Sequence, residues 1–443
     1  MLDASEIKFQ ETERERVHVP FVTASLLFGV FGGLALAVTL PVERAVSVID
    51  ISWVAHAQIH GHLQLVGFAG LFVLGMAMRL APHFGRGALA YPTRVRPTFV
   101  ILVLGLLLRA IGQPLAQHGA FGIVMVGGAA LEAVATVVFL TIITTTLAPM
   151  IRTLHPHALF LCSGFTWLAV QAVLGAWWVA ELALEGGTVL DQQRNSMLVN
   201  IQLLGFVLAS ILGVGWRSFP TFFGVPAPAR AVGIGAVVLL DGGLLLWATP
   251  VLTGRFSPTT SAIGTFLVGL GIVIAVATFG IGRLRHRLAA ASRGFVWALQ
   301  PVLAWLLFTG IALVLAGARG AMSGGVGVAE IDAIRHVFAL GVVTLAIVAM
   351  GQLLLPEFAS DRMSHPPAAW RGAAFGVAFS LAAALRGVLP WIGVHGRGGD
   401  WAMAVGATIA LVAVAVFGGL YRQARRRHVA YLARMAALRN KSI

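Results

Sequence analysis

The chain consists of twelve apolar runs joined by short polar loops. Each run is at least 20 residues long, enough for an α-helix to cross the hydrocarbon core of a bilayer. The runs show no apolar–polar alternation typical of strands, and lipid gives the backbone no hydrogen-bond partner, so we predict transmembrane helices. The runs lie near residues 20–40, 56–81, 97–117, 119–148, 157–184, 196–217, 229–251, 258–282, 294–317, 331–355, 368–391 and 401–421.

Three of these runs are copies of one unit. The second reads HLQLVGFAGLFVLGMAMRLAPHF from His62, the sixth NIQLLGFVLASILGVGWRSFPTF from Asn200 and the tenth HVFALGVVTLAIVAMGQLLLPEF from His336. The alignment without gaps matches three glycines, three prolines and three phenylalanines: Gly67, Gly205 and Gly341; Pro82, Pro220 and Pro356; Phe84, Phe222 and Phe358. A unit that recurs every four runs predicts three four-helix repeats, at about 20–150, 157–284 and 294–421, related by a pseudo-threefold axis.

Composition and charge agree with a membrane protein. Hydrophobic residues make up 58% and charged residues 11% of the chain, whereas a soluble domain is about one quarter charged. The net charge is +14, and most of the 31 Lys and Arg lie in the N-terminal tail (1–19), in the loops that follow even-numbered runs and in the basic tail 422–443. The opposite loops hold only Arg44, Arg194, Arg255, Arg319 and Arg397.

This asymmetry follows the positive-inside rule, so both termini are predicted to be cytoplasmic. We therefore expect an all-α integral membrane protein with one twelve-helix domain (20–421), inserted as a multi-pass protein in a bacterial inner membrane. Its expected partner is the lipid bilayer and not nucleic acid.

The histidines suggest a metal centre. The single cysteine, Cys162, excludes a cysteine-rich metal or iron–sulfur site, so a metal would be held mainly by imidazoles. His56 and His60 share one helix face, whereas His62 points elsewhere; His62 and His336 each lie 20 residues before an equivalent proline. We predict a bis-histidine haem between the second and tenth helices, with His336 as one axial ligand and His62 or His60 as the other. His56 with the remaining histidine is a candidate copper site.

Arginines inside apolar runs are candidates for holding the haem propionates, because guanidinium groups bind carboxylates in a bidentate manner. Arg335 adjoins His336, and Arg109 and Arg386 each lie about one turn before a helix-ending proline. We expect Arg335 and Arg386 to bind propionates, with Arg109 as a third candidate. Glu132 and Asp241 lie near mid-membrane, and the sequence leaves open whether they carry protons or pack.

Twelve helices, a threefold repeat and histidines on helices 2 and 10 resemble subunit I of the haem–copper oxidases and nitric oxide reductases. The resemblance implies a low-spin haem between those two helices. It does not extend to the binuclear centre of that superfamily, which needs a histidine on helix 6, a His-His pair after helix 7 and a second histidine on helix 10. Helix 6 has Asn200 and Gln202, the loop LTGRFSPTTSA has no histidine, and Ile334 and Phe338 occupy the helix 10 positions.

The chain is also similar to the NnrS family, twelve-helix proteins that carry haem and copper and are linked to nitric oxide metabolism. The matching segments are HGHLQLVGF from His60, GWRSFPTFF from Gly215 and RHVFALG from Arg335. Trp216 replaces the second glycine of the family pattern, and Leu63 replaces the glutamate that usually follows the histidines. This resemblance implies haem, copper and a nitric oxide-related role.

Our leading interpretation is therefore a haem protein, with haem of the b type and copper as a second candidate, that acts in nitric oxide or respiratory electron chemistry. Its expected partners are a gas such as nitric oxide, an electron donor of unknown identity, and further copies or other membrane subunits. Three alternatives stay open: a terminal oxidase or reductase of oxygen or nitric oxide with an unusual metal centre, a metal or small-molecule transporter, and a non-catalytic subunit of a larger complex.

Overall fold

A computed structural model describes residues 16–50, 52–255, 257–279, 293–364, 368 and 370–441. Within these ranges the chain is helical with no strand, and the predicted twelve membrane-spanning helices are confirmed. They are α1 Val19–Ala45, α2 Trp53–Gly85, α3 Pro92–Gly112, α4 Phe121–Ile151, α5 Pro156–Leu184, α6 Gln192–Phe223, α7 Arg230–Thr253, α8 Pro258–Thr278, α9 Gly294–Ser323, α10 Val328–Leu354, α11 Trp370–Trp391 and α12 Gly396–Lys441. Residues 1–15 of the predicted N-terminal tail and most of the loop between the second and third repeats lie outside the described residues.

Two elements differ from the expected plan of helices and loops. A short helix, Pro356–Ser364, follows α10 directly. Residues 422–441 of the predicted basic tail continue α12, which is one helix of 46 residues. The first turns of this continuation pack on the short helix, where Arg427 Nη1 donates to Asp361 at 2.9 Å and the Ser360 hydroxyl lies 2.8 Å from His428 Nδ1.

The internal repeat is visible as a recurring distortion of the helices. α2, α6 and α10 each contain a π-helical turn, at Leu63–Gly70, Ile201–Val207 and Phe338–Thr344. The turns begin directly after His62 and Asn200 and two residues after His336. Such wide turns are rare and occur mostly at functional sites, so three of them in register support a common origin of the three units.

The aligned glycines have the same role in all three repeats, because each faces an aromatic side chain of the preceding helix. A Cβ atom at the glycine would lie 2.6–3.1 Å from the ring carbon or Cβ of that aromatic residue, closer than packed side chains normally come. The pairs are Gly67 with Phe28, Gly205 with Trp167, and Gly341 with Trp305. The first two helices of every repeat therefore meet at this depth.

Asp241 is hydrogen-bonded to Trp167, the aromatic residue that packs on Gly205. The indole N–H of Trp167 donates to its carboxylate at 2.9 Å, and the Ser163 hydroxyl donates to the same oxygen. In the third repeat, the indole of Trp305 donates to the Ser380 hydroxyl at 2.9 Å. Of the two roles left open by the sequence, the contacts of Asp241 support packing.

Candidate functional site

His60 and His336 face each other between α2 and α10. Their ring centroids are 6.4 Å apart, and the ring planes are parallel to within 3°. Aromatic carbon atoms in contact lie about 3.5–4.0 Å apart, so the rings do not fill the space between them. The structure thus brings together two of the predicted metal ligands, from the first and third repeats.

Each imidazole is fixed by a backbone carbonyl. His60 Nδ1 lies 2.8 Å from the Gly33 carbonyl oxygen, and His336 Nδ1 lies 2.8 Å from the Asp332 carbonyl oxygen. A carbonyl oxygen can only accept, so Nδ1 carries the hydrogen in both rings and Nε2 keeps its lone pair. Metal-binding histidines typically have this arrangement, because a hydrogen bond at one nitrogen orients the ring and directs the other nitrogen to the metal.

The ring separation fits two axial ligands of one metal ion. A metal–imidazole bond is about 2.0 Å long, and the ring nitrogen lies roughly 1.1 Å from the ring centroid. Two imidazoles on opposite sides of one metal would therefore have centroids about 6.2 Å apart, close to the separation of His60 and His336.

Four π-helical turns surround this pair. Leu63–Gly70 and Phe338–Thr344 follow the two histidines on α2 and α10. Phe28–Leu34 of α1 contains Gly33, and Ala384–Val388 of α11 contains Arg386. A π-helical turn disrupts the regular hydrogen-bond ladder, which explains how a carbonyl in the middle of α1 is available to His60.

Arg386 is the arginine whose contacts best suit a propionate. One terminal nitrogen lies 2.7 Å from the Met403 sulfur, a weak acceptor. Its Nε is buried, and no hydrogen-bond partner exists for it among the described residues. The guanidinium also lies within electrostatic range of His60 and Asp332. A half-buried cation whose Nε donor has no partner in the described part of the chain, beside the two histidines, fits a carboxylate-bearing cofactor.

Arg335 points away from the histidine pair and towards α6. Its Nε donates to the Asn200 side-chain oxygen at 2.7 Å, and its Nη2 donates to the Ser196 carbonyl at 3.1 Å. Asn200 aligns with His62 and His336 in the repeat. The guanidinium and the amide thus occupy the junction of α6 and α10, and these contacts do not support the predicted propionate role of Arg335.

His62 lies in a separate buried cluster. Its Nε2 is 3.0 Å from the Glu132 carboxylate, and Arg109 Nη1 is 3.8 Å from the same group. A cavity of about 20 Å³, lined also by Gln171 and Gln202, adjoins these side chains, and that volume is enough for one water. The repeat alignment favoured His62 as the residue opposite His336, but the structure places His60 there, because His62 faces α3 and α4 of its own repeat.

The sequence contained an indication of Glu132, the acidic partner of His62. Glu132 is the only acidic residue in the apolar run 119–148, and an intramembrane carboxylate needs a partner. The sequence did not identify the partner, because His62 and Glu132 are 70 residues apart and on different helices.

His56 has no metal-binding environment in the part of the chain that the structure describes. Its Nδ1 lies 3.0 Å from the Ser52 hydroxyl. Among the described residues, no group of three or more His, Cys, Asp or Glu side chains is arranged to hold a metal ion. A copper site at His56 therefore stays a prediction from the sequence.

A further buried pair, at the opposite end of the bundle, was not predicted. His18 Nε2 lies 3.2 Å from both carboxylate oxygens of Glu357, and both residues are buried. Burial raises the pKa of Glu357, but the hydrogen bond and the positive charge from His18 lower it more, so the pKa is below its usual value. This pair joins the start of α1 to the short helix after α10.

Comparison with known proteins supports the fold. No family model matches the chain, and no curated protein matches it. A cryo-EM structure of a heme-copper terminal oxidase dimer is similar, with a TM-score of 0.65 and 13% sequence identity over 94% of this chain and 84% of that chain. The chain therefore has a membrane fold distantly like that of the heme-copper oxidases.

Proposed function

We propose that this chain is a membrane haem protein in which His60 and His336 are the two axial ligands of one haem. The observation that carries the proposal is the parallel pair of imidazoles, 6.4 Å apart, with both Nδ1 atoms held by carbonyls. The similar solved structure is a heme-copper oxidase, which supports haem as the cofactor. Because Cys162 is the single cysteine, covalent attachment through a Cys-x-x-Cys-His motif is excluded, and we propose non-covalent b-type haem.

Each neighbouring group has a distinct role in this proposal. The Gly33 and Asp332 carbonyls fix the imidazole orientations, and Arg386 neutralises a propionate. Such a haem supplies one-electron transfer. With His60 and His336 both holding the haem, a gas would find no free ligand position, so we infer that the protein carries electrons in a respiratory or nitric oxide-related process.

A terminal reductase is less well supported by the contacts of α6. Reduction of oxygen or nitric oxide in the heme-copper oxidases uses a second metal centre beside the helix 6 position. Here the side chain of Asn200 accepts a hydrogen bond from Arg335 at 2.7 Å. A buried guanidinium at this point opposes a metal cation through charge repulsion.

The proposal is tested by the optical spectrum and iron content of the purified protein. We expect a b-type spectrum with a sharp reduced α-band, which His60→Ala and His336→Ala both abolish. His62→Ala is the matched control, because His62 is a neighbouring buried histidine on the same helix, and its variant should keep the spectrum. An iron-free wild-type protein would refute the proposal and favour a transporter, whereas loss of the spectrum in His62→Ala alone would reassign the ligand.

The resemblance to NnrS makes nitric oxide the gas to test on the same preparation. Because both axial positions are taken by histidine, we expect nitric oxide to change the spectrum of the reduced wild-type protein slowly. Removal of one histidine should speed the change. Rapid, donor-dependent consumption of nitric oxide by the wild-type protein would instead support the reductase alternative.

A further inference from the structure

An apolar cavity lies between the inner halves of α2, α6 and α10, on the side of the bundle away from His60 and His336. Its volume is about 130 Å³. The lining begins near mid-membrane at Phe72, Val207 and Val343 and continues to Phe84 and Leu354. Twelve residues of helix separate Phe72 from Phe84, so the lining extends about 18 Å along α2.

The lining determines the chemistry of any occupant. Ser210 is the only lining residue with a polar side chain, and its hydroxyl donates to the Phe206 carbonyl at 2.8 Å. Water in a cavity needs two to four polar partners, and apolar cavities of roughly 150 Å³ stay dry and bind apolar molecules. The volume is close to that of a cavity that binds benzene, so a hydrocarbon chain that fits here must be short.

The inner end of the cavity is basic. The Arg217 guanidinium lies 4.7 Å from the ring centroid of Phe84, a lining residue, and Arg217 is exposed. Among the described residues, no carboxylate lies within ion-pair distance of Arg217. A ligand that enters here meets a positive charge at the mouth and hydrocarbon inside.

We propose that this cavity binds a fatty acid with a short acyl chain, which lies between α2, α6 and α10 with its carboxylate on Arg217. Arginine binds a carboxylate in a bidentate manner, and burial of each methylene favours the apolar cavity over water. The site is independent of the proposed haem, because it lies in the opposite half of the bundle and uses none of the residues around His60.

The test uses full-length protein in detergent, delipidated and titrated with carboxyl-¹³C-labelled hexanoate while the carboxyl resonance is followed by NMR. Ala346→Phe fills the cavity and should abolish saturable binding. Arg217→Gln removes the charge-assisted hydrogen bonds and should weaken binding by about tenfold or more. The control is Arg94→Gln. Arg94 is also exposed and its guanidinium lies 5.0 Å from the ring centroid of Tyr91, but it is not part of the cavity lining. The affinity of this variant for the fatty acid should be unchanged.

Each outcome decides the proposal. A thermal unfolding midpoint equal to that of the wild-type protein shows that Ala346→Phe has kept its fold. If the midpoint is lower, the smaller replacement Ala346→Leu is used in its place. Hexanoate that binds wild type and Ala346→Phe equally would overturn the site. Uptake of xenon, or of a two-chain phospholipid, without saturable hexanoate binding would overturn the assignment of the ligand.

Discussion

Replacement of Asp332 by asparagine is expected to raise the midpoint potential of the proposed haem. The Asp332 carboxylate oxygen lies 3.3 Å from His336 Nδ1, beside the backbone carbonyl that fixes the ring. A carboxylate at this position makes the imidazole more basic and stabilises the oxidised metal. Asparagine keeps the backbone carbonyl and nearly the same shape, so the change removes mainly the negative charge.

The magnitude follows from the distance. The imidazole ring and the metal–nitrogen bond add roughly 4 Å to the measured contact, which puts the carboxylate about 7 Å from the metal. At an effective dielectric constant of about 20, one charge at that distance contributes about 2 kcal/mol. This corresponds to about 100 mV for one electron. The Asp332 side chain is 52% exposed, so solvent screening should reduce the shift to roughly 40–80 mV.

The assay is a spectroelectrochemical redox titration of purified protein at fixed pH and salt. The control is Asp50→Asn. Asp50 lies just before the N-terminal end of α2, the helix that carries His60, but its carboxylate accepts hydrogen bonds from Ser52. An unchanged or lowered potential in Asp332→Asn, with the haem spectrum retained, would refute the electrostatic reasoning. A variant that binds no haem would show that the side chain, and not only the carbonyl, holds His336.

Two further predictions concern buried charges. Glu132→Ala leaves Arg109 and His62 without their carboxylate, so it should lower the free energy of unfolding by about 3–5 kcal/mol. A denaturant titration measures this change, and the haem spectrum should be retained. Unchanged stability would contradict the buried pairing. The pKa of Glu357 is lowered in the folded state, so its pairing with His18 stabilises the protein above about pH 4.5 and is lost as the pH falls through the lower folded value. A thermal unfolding series from pH 3 to 7 should lose part of its acid slope in Glu357→Gln, and an identical slope would contradict this assignment.

The sequence was sufficient for the helices and the repeat, because both depend on apolar length and on glycine, proline and phenylalanine spacing. The π-helical turns could not be predicted, since they widen a helix without changing its apolar character. Gly33 is an example of a residue whose role the sequence therefore did not reveal. Its carbonyl fixes His60, but nothing in an apolar α1 sequence distinguishes it from the adjacent glycine.

The site was only partly predictable for a related reason. Helical geometry separated the faces of His60 and His62 but did not say which face meets the third repeat. Arg335 was chosen for its position next to His336, and adjacent residues of a helix point in different directions. Long-range packing, not local spacing, decides that Arg335 meets Asn200 and that Arg386 remains beside the histidines.

The hydrogen bond between Arg335 and Asn200 restricts how this protein could change during evolution. Installing histidine at position 200 alone would remove the side-chain acceptor of Arg335 Nε, and loss of a hydrogen bond to a charged group costs about 1.5–3 kcal/mol. Removing the guanidinium first would strand the amide instead. A second metal centre on α6 would therefore need at least two mutually dependent substitutions in the present sequence. Evolution towards or away from an enzyme with two metal centres would pass through a destabilised intermediate or need both changes at once.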